Sequence, residues 1–204
     1  MKTALISDIH GNYDGLLAVL DDIAQQQCDR ILCLGDLVDG GPHGPEVVRL
    51  FRERALPAVQ GNHDEWPDTQ LPWDAKEYLR SLPQEIVEGD ILYTHTSPRR
   101  KKDKIKDPIE AWNVFEESAF RRIFVGDIHI PLTFGQKCTE QVSAATYAIP
   151  YDYEFPLAAD DRYIVCVGAV GYSRDGRDVM RYAIYDHDRD TLLFRAVPGP
   201  ILKF

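Results

Sequence analysis

Five short apolar runs in this 204-residue chain each end in one or two small residues and then a side chain able to bind a metal: LISDIH, ILCLGDLVD, PAVQGNHD, ILYTHT and IFVGDIH. This repetition constrains the fold more than any other feature. A strand buried on both faces reads as a continuous apolar run, and open α/β sheets gather ligands at the carboxyl ends of their strands. Five such segments are expected to bring Asp8, His10, Asp36, Asn62, His95, Asp127 and His129 to one sheet edge, where their oxygen and nitrogen donors describe a metal centre. Singly, each fragment has an ordinary reading: Asp8 can cap the next helix, His10 can face solvent, and Asn62 can shape a turn. The combination carries the inference.

Between these runs, strand and helix signals alternate. KTALIS leads to Asp8, and Leu16, Leu17, Leu20 and Ile23 then mark one helical face, with Asn12 placed to cap its amino end. ILCLG repeats the unit before the Gly40 to Pro45 loop, Val47, Val48, Leu50 and Phe51 belong to a second helix, and PAVQ reads as a third strand. The order βαβαβ predicts a mostly parallel sheet. Residues 74 to 82 and 110 to 120 read as helices, and EIVEGDILYTHT as a hairpin turning at Gly89-Asp90. Beyond IFVGD, the stretches TYAI, YIVCVG, VMRYAIYD and TLLFRAV predict a second, largely antiparallel sheet, all within one domain over residues 1–204.

A formal net charge of -10 disfavours a protein that wraps nucleic acid or binds an anionic membrane, since both need a basic face. The opening MKTALISDIHGN has an apolar stretch too short for a secretion signal, and no later run approaches membrane-spanning length, so a cytoplasmic protein is expected. Cys28, Cys33, Cys138 and Cys166 lack CxxC spacing, two of them lie within or beside strand-like runs, and they read as buried reduced thiols.

The chemistry begins with Asp8 and His10, two apart, which share one side if the backbone is extended; carboxylate with imidazole suits a borderline divalent ion. GDLVDGG places Asp36 on a Gly35 turn with Asp39 three residues on, and GNHD sets the amide of Asn62 beside His63. The DxH, GDxxD, GNHD, His and GDxH series resembles the calcineurin-like metallophosphoesterase superfamily from Met1 to the end of the chain. Its compact bacterial and archaeal phosphodiesterase branch fits best, because THTSPR follows the fourth strand and GAVGYSRDG is similar to that branch's late glycine-rich segment.

The resemblance implies a four-layer α/β/β/α sandwich of two mixed sheets and a dinuclear metal-dependent phosphoesterase. In it, Asp8, His10 and His129 would hold one metal, Asp36 would bridge, and Asn62 and His95 would hold the second, about 3.5 Å away. A hydroxide on the metals would attack a phosphodiester or phosphomonoester, His63 would assist the leaving oxygen, and Asp39 would orient His63. Manganese is the expected metal, with iron, zinc, nickel or magnesium as alternatives.

Three departures stand out. Asp127 replaces the first histidine of the usual GHxH, a second-metal ligand; as a carboxylate it favours harder ions, or else it only bonds a neighbour. Gly40 stands where protein phosphatases carry an arginine, and Cys166-Val167 replaces the usual Asn-Pro before Gly168.

Asn62, Arg99, in a basic run extending to Lys106, and Arg174 are candidate substrate contacts; Arg174 could instead pair with Asp175 or its neighbours in a turn, and the run could be a solvated loop. His43 could border the cleft, and His187 reads as a surface turn. The stretch IPYDYEFPLAADDRY could cover the active face or pack against a second copy in a homo-oligomer. Expected partners are small phosphate esters, with nucleic acid disfavoured and no membrane. A weakly active binding scaffold of the same fold and a nuclease are the alternative functions.

Overall fold

Alternate residues of the central strands face different neighbours, and this two-residue period builds the molecule in layers. The computed structural model describes residues 1–67, 71–99, 104–137 and 142–203. In chain order the elements are β1 (Lys2–Ile6), α1 (Tyr13–Gln25), β2 (Arg30–Cys33), α2 (Gly44–Glu53), α3 (Asn62–Glu65), α4 (Trp73–Ser81), β3 (Glu85–Glu88), β4 (Ile91–Thr94) and α5 (Pro108–Glu117). There follow β5 (Arg122–Val125), β6 (Pro131–Gly135), β7 (Ala145–Tyr147), β8 (Phe155–Pro156), β9 (Tyr163–Val167), β10 (Val179–Asp186) and β11 (Thr191–Pro198).

The strands form two mixed sheets, ordered β2-β1-β10-β11-β8 and β3-β4-β5-β9-β6-β7. Leu5, Leu32, Ala183 and Tyr185 of the first sheet meet Tyr93, Phe124, Val165 and Val167 of the second in a core between them. Their strand neighbours point the other way. Ala4, Ile6, Cys33 and Ile184 pack under Leu16, Val19, Val47 and Phe51 of α1 and α2, while Leu92, Ile123, Val125 and Ile164 pack under Ala111, Val114 and Phe115 of α5. The result is the expected α/β/β/α sandwich, and burial on both faces is why the central strands read as unbroken apolar runs.

Helix boundaries follow the sequence signals. Asn12 caps α1, its side chain accepting from the Gly15 N–H at 3.1 Å, and Asp107 caps α5 through Ile109 and Glu110. The β3–β4 hairpin turns at Gly89, whose φ of 62° is left-handed.

Two expectations about sheets need correction. PAVQ contributes only the parallel bridge Cys33↔Ala58, because Pro57 has no N–H to extend a ladder. The tail does not make a sheet of its own. β9 inserts parallel to β5, whereas β10 runs antiparallel beside β1 and β11 antiparallel beside β10, extending the first sheet, which is therefore not mostly parallel. Strand pattern identifies a strand and leaves its long-range partner open.

The stretch 149–163 adds β8 to the β11 edge and lays Ile149, Tyr151 and Phe155 on the inter-sheet core. Cys33 and Cys166 are buried and Cys28 half-buried, and burial pushes the Cys28 thiol up to about 11; Cys138 lies outside the described residues. His43 sits beside Glu46 and His187 against Thr3.

Candidate metal centre

The loops after β1, β2, β4 and β5, with α3, converge at the carboxyl ends of the strands. Asp8 (φ 53°), His10 (52°), Asp36 (56°), Asp39 (66°), Asp127 (65°) and His129 (63°) all adopt left-handed backbone conformations. Such conformations cost of order 1–3 kcal/mol each in a non-glycine residue and gather at functional sites. Asp8 and His10 thus face a common centre through left-handed turns and not through the extended backbone expected from their spacing. Glycine is required where these loops touch: a Cβ on Gly61 would meet Asp36 Oδ1 at 2.1 Å, and one on Gly126 would meet Ser7 Oγ at 2.1 Å.

Three imidazoles are held in the same way. Nδ1 of His10 donates to the Asp39 carbonyl at 2.7 Å, Nδ1 of His95 to the Leu34 carbonyl at 2.6 Å, and Nδ1 of His129 to the Tyr172 carbonyl at 3.0 Å. A carbonyl only accepts, so each Nδ1 carries the hydrogen and each Nε2 is the free donor, the arrangement common in metal-binding histidines.

These nitrogens meet buried carboxylates. His129 Nε2 lies 3.1 Å from Asp8 Oδ1 and 3.2 Å from His10 Nε2, while His95 Nε2 lies 3.2 Å from Asp36 Oδ2 and 3.1 Å from Asn62 Oδ1. His10 Nε2 is 3.7 Å from Asp36 Oδ2. Two donors each about 2.1 Å from one ion lie about 3.0–3.4 Å apart at bond angles near 90–110°. The cluster has that spacing, and the facing lone pairs of His10 and His129 repel unless a proton or cation lies between them. Asp8, His10 and His129 form one group able to hold an ion, Asp8, Asp36 and His95 a second, and His10, Asp36 and His63 a third. The donor set fits divalent cations.

Electrostatics point the same way. Burial pushes the carboxyls of Asp8 and Asp36 up, but the neighbouring histidines outweigh it and hold both below the usual range. Burial pulls His95 down, yet the Asp36 and Asp8 carboxylates drive it up to about 10. A proton on His95 is therefore strongly held, and a metal ion binding there takes its place.

His63 is half-exposed on α3, and its backbone N–H donates to Asp36 Oδ1 at 2.9 Å. Its ring stands edge-on to His10 at 5.0 Å, with Nδ1 3.6 Å from Asp39 Oδ2. That distance is long for a hydrogen bond, and catalytic contacts often shorten only with substrate bound.

Two placements, those of Asp64 and Tyr172, were not legible in the sequence. The fully buried Asp64 carboxylate accepts the N–H groups of Asp36, Leu37 and Gly61 at 2.8–2.9 Å, locking GDLVD to GNHD. Its signal was an acid at the third position after Gly61, where it can reach back to free N–H groups. Burial and the Asp36 carboxylate push it up to about 7 against those donors. The Tyr172 ring lies 4.3 Å from that of His129, and Arg174 stacks over it while donating to the Asp127 carbonyl at 2.9 Å. Asp175 pairs with Arg181, so the turn pair proposed for Arg174 is replaced by a place beside the cluster.

Arg99 is corrected: its guanidinium is committed to Glu110 and Glu117 and braces the loop after β4 against α5. Residues 100–103 of the basic run lie outside the described residues. Asp127 donates its N–H to Asp8, and its carboxylate meets Lys104 Nζ at 2.5 Å.

The sequence matches the calcineurin-like phosphoesterase family over residues 1–147. The crystal structure of a metallophosphoesterase from Sphaerobacter thermophilus superimposes with a TM-score of 0.87 at 30% identity, covering 98% of this chain and 90% of that one. An uncharacterised protein of Methanocaldococcus jannaschii is 29% identical, with 90% of this chain and 82% of the relative covered. A symmetrical bis(5'-nucleosyl)-tetraphosphatase of Baumannia cicadellinicola is 42% identical over 67 residues, which span 31% of this chain and 23% of that protein. No described helix is long and apolar enough to cross a membrane.

Proposed function

Because the chain belongs to the calcineurin-like phosphoesterase family, we propose that it hydrolyses a phosphodiester or phosphomonoester, with divalent metal ions, at the cluster centred on Asp36. The observation that carries this reading is the convergence of three Nε2 donors, each fixed by a backbone carbonyl behind it, on the buried carboxylates of Asp8 and Asp36. Asp8, His10 and His129 would hold one ion, Asn62 and His95 a second, and Asp36 would lie between them. Cations held there supply Lewis-acid activation of water and neutralise charge on the phosphoryl group. Manganese remains the expected metal.

The chain's own residues do the rest. His63, with Nδ1 toward Asp39, keeps Nε2 for donating a proton to the departing oxygen, and Asp39 fixes the ring. Arg174, over the Tyr172 ring beside His129, would meet a phosphoryl oxygen. Asp64 keeps Asp36 and His63 in register through its three backbone contacts. A cytoplasmic location is part of this proposal.

The test is hydrolysis of bis-p-nitrophenyl phosphate, p-nitrophenyl phosphate and a symmetrical dinucleoside tetraphosphate by chelator-treated protein, with manganese, magnesium, zinc, nickel or iron restored in turn. The tetraphosphate is included because of the short match to the tetraphosphatases. Turnover that appears with metal and disappears with chelator is expected. No turnover under any combination would overturn the enzyme reading in favour of a binding scaffold.

A further inference from the structure

Beside the cluster opens a cavity of about 310 Å³ whose lining includes Asn62, His95, Asp127 and Lys104. Asn62 and His95 are the donors of the proposed second ion, so a phosphoryl group bound to that ion borders this space. Lys104 has no counterpart in the motifs that suggest the family.

We propose that Lys104 is a substrate-binding residue, anchored by Asp127, that donates to a non-bridging phosphoryl oxygen at the Asn62–His95 end of the centre. This rests on the phosphoesterase reading above. The backbone of Asp127 is fixed on both sides, its N–H on the Asp8 carboxylate and its carbonyl on Arg174, so its carboxylate is presented to the cavity by a rigid left-handed turn. A carboxylate there repels an incoming phosphate. Lys104 cancels that charge: its Nζ meets Asp127 Oδ1, using one of three ammonium donors. The side chain of Asp127 is 8% exposed and that of Lys104 51%, so the anchor is buried while the ammonium stays open to solvent and ligand. An exposed surface pair would contribute little to stability and would have no reason to sit in the wall of the metal cavity.

The assignment also changes the meaning of the Asp-for-His departure. Asp127 and Lys104 together carry no net charge, like the histidine that Asp127 replaces, so the pair adds a phosphate donor without making the centre more anionic.

The experiment is calorimetric titration of inorganic phosphate into manganese-loaded protein, with manganese stoichiometry measured separately on the chelator-treated protein. Lys104→Met is expected to weaken phosphate binding by about 10–100-fold, the usual effect of losing a charged hydrogen bond, and to leave metal stoichiometry unchanged. Lys104→Arg should restore most of the affinity, and KM for bis-p-nitrophenyl phosphate should rise more than kcat falls. A phosphate affinity in Lys104→Met within about twofold of wild type would overturn the proposal. So would a changed metal stoichiometry with intact phosphate binding, which would make Lys104 a partner of the metal site. Weakened phosphate binding in a protein that hydrolyses none of the test esters would support the assignment of Lys104 while the enzymatic reading fails.

Discussion

The two ends of the sandwich use the same acidic side chains in opposite ways. At the amino ends of the strands, Arg30 of β2 grips Glu88 of β3 through two contacts of 2.5–2.6 Å, tying one sheet to the other. The fully buried Arg122 of β5 grips Asp190 at 2.5 and 3.0 Å, and Tyr185 donates to the same carboxylate. The Arg121, Asp161 and Ala158 carbonyls accept the remaining Arg122 donors there. At the carboxyl ends, Asp8 and Asp36 are more deeply buried than Glu88 or Asp190 and face imidazoles, and left-handed backbone, which Asp190 also adopts, recurs there at six residues. One end is complete in itself. The other carries left-handed backbone and facing lone pairs, and a proton or cation between those nitrogens relieves the repulsion; strain of this kind gathers where a protein gives up stability for function.

The comparison breaks most easily at Asp36. Asp36→Ala should cost roughly 10³–10⁵-fold in diesterase activity, since several kcal/mol of charge stabilisation is lost at 1.36 kcal/mol per decade. Metal analysis should show loss of bound ion, while the urea midpoint of the chelated protein holds or rises; a clear fall in that midpoint would mean that Asp36 is structural. His63→Ala should lower turnover by roughly 10²–10⁴-fold with metal content intact. If the metal leaves with the ring, His63 belongs among the ligands, a role that its group with His10 and Asp36 would allow.

The amino end should respond in the opposite sense. Arg122→Met removes the buried guanidinium from Asp190, which is part-exposed and keeps Arg121 at 3.3 Å, and should destabilise the fold by about 1.5–3 kcal/mol in urea titration, with activity per folded molecule preserved. Adding Asp190→Leu should recover much of that loss. Saturating manganese should raise wild-type stability by about 2.7 kcal/mol at a hundredfold excess over its Kd, and should not raise that of Asp36→Ala; equal shifts in both proteins would indicate binding elsewhere.

The smallest effect concerns acid. Burial pushes the Asp190 carboxyl up, but Arg122 and Tyr185 outweigh it and hold it below the usual range. Its contribution is therefore full above about pH 4 and is lost as pH falls through the depressed value. Wild type and Asp190→Asn should differ in urea midpoint at pH 6 and converge toward pH 2; a constant gap would assign the difference to packing.

Strand-and-helix alternation and the candidate donors are legible in the sequence because each is written locally, whereas the layered fold was reached through the family resemblance of the same motifs. An apolar run, then a small residue, then Asp, Asn or His is legible within a few positions, as are the Asn12 cap and the Gly89 turn. That β9 joins the second sheet while β10 and β11 join the first was settled by long-range packing, since strand pattern does not name a partner tens of residues away. The same packing also decided the fates of the charged side chains. Arg99 and Lys104 come from one basic run, yet Arg99 is drawn to Glu110 and Glu117 on α5, and Lys104 to Asp127 at the metal cavity. Long, flexible side chains take the carboxylate that folding brings within reach, and that proximity exists only once the sheets have packed.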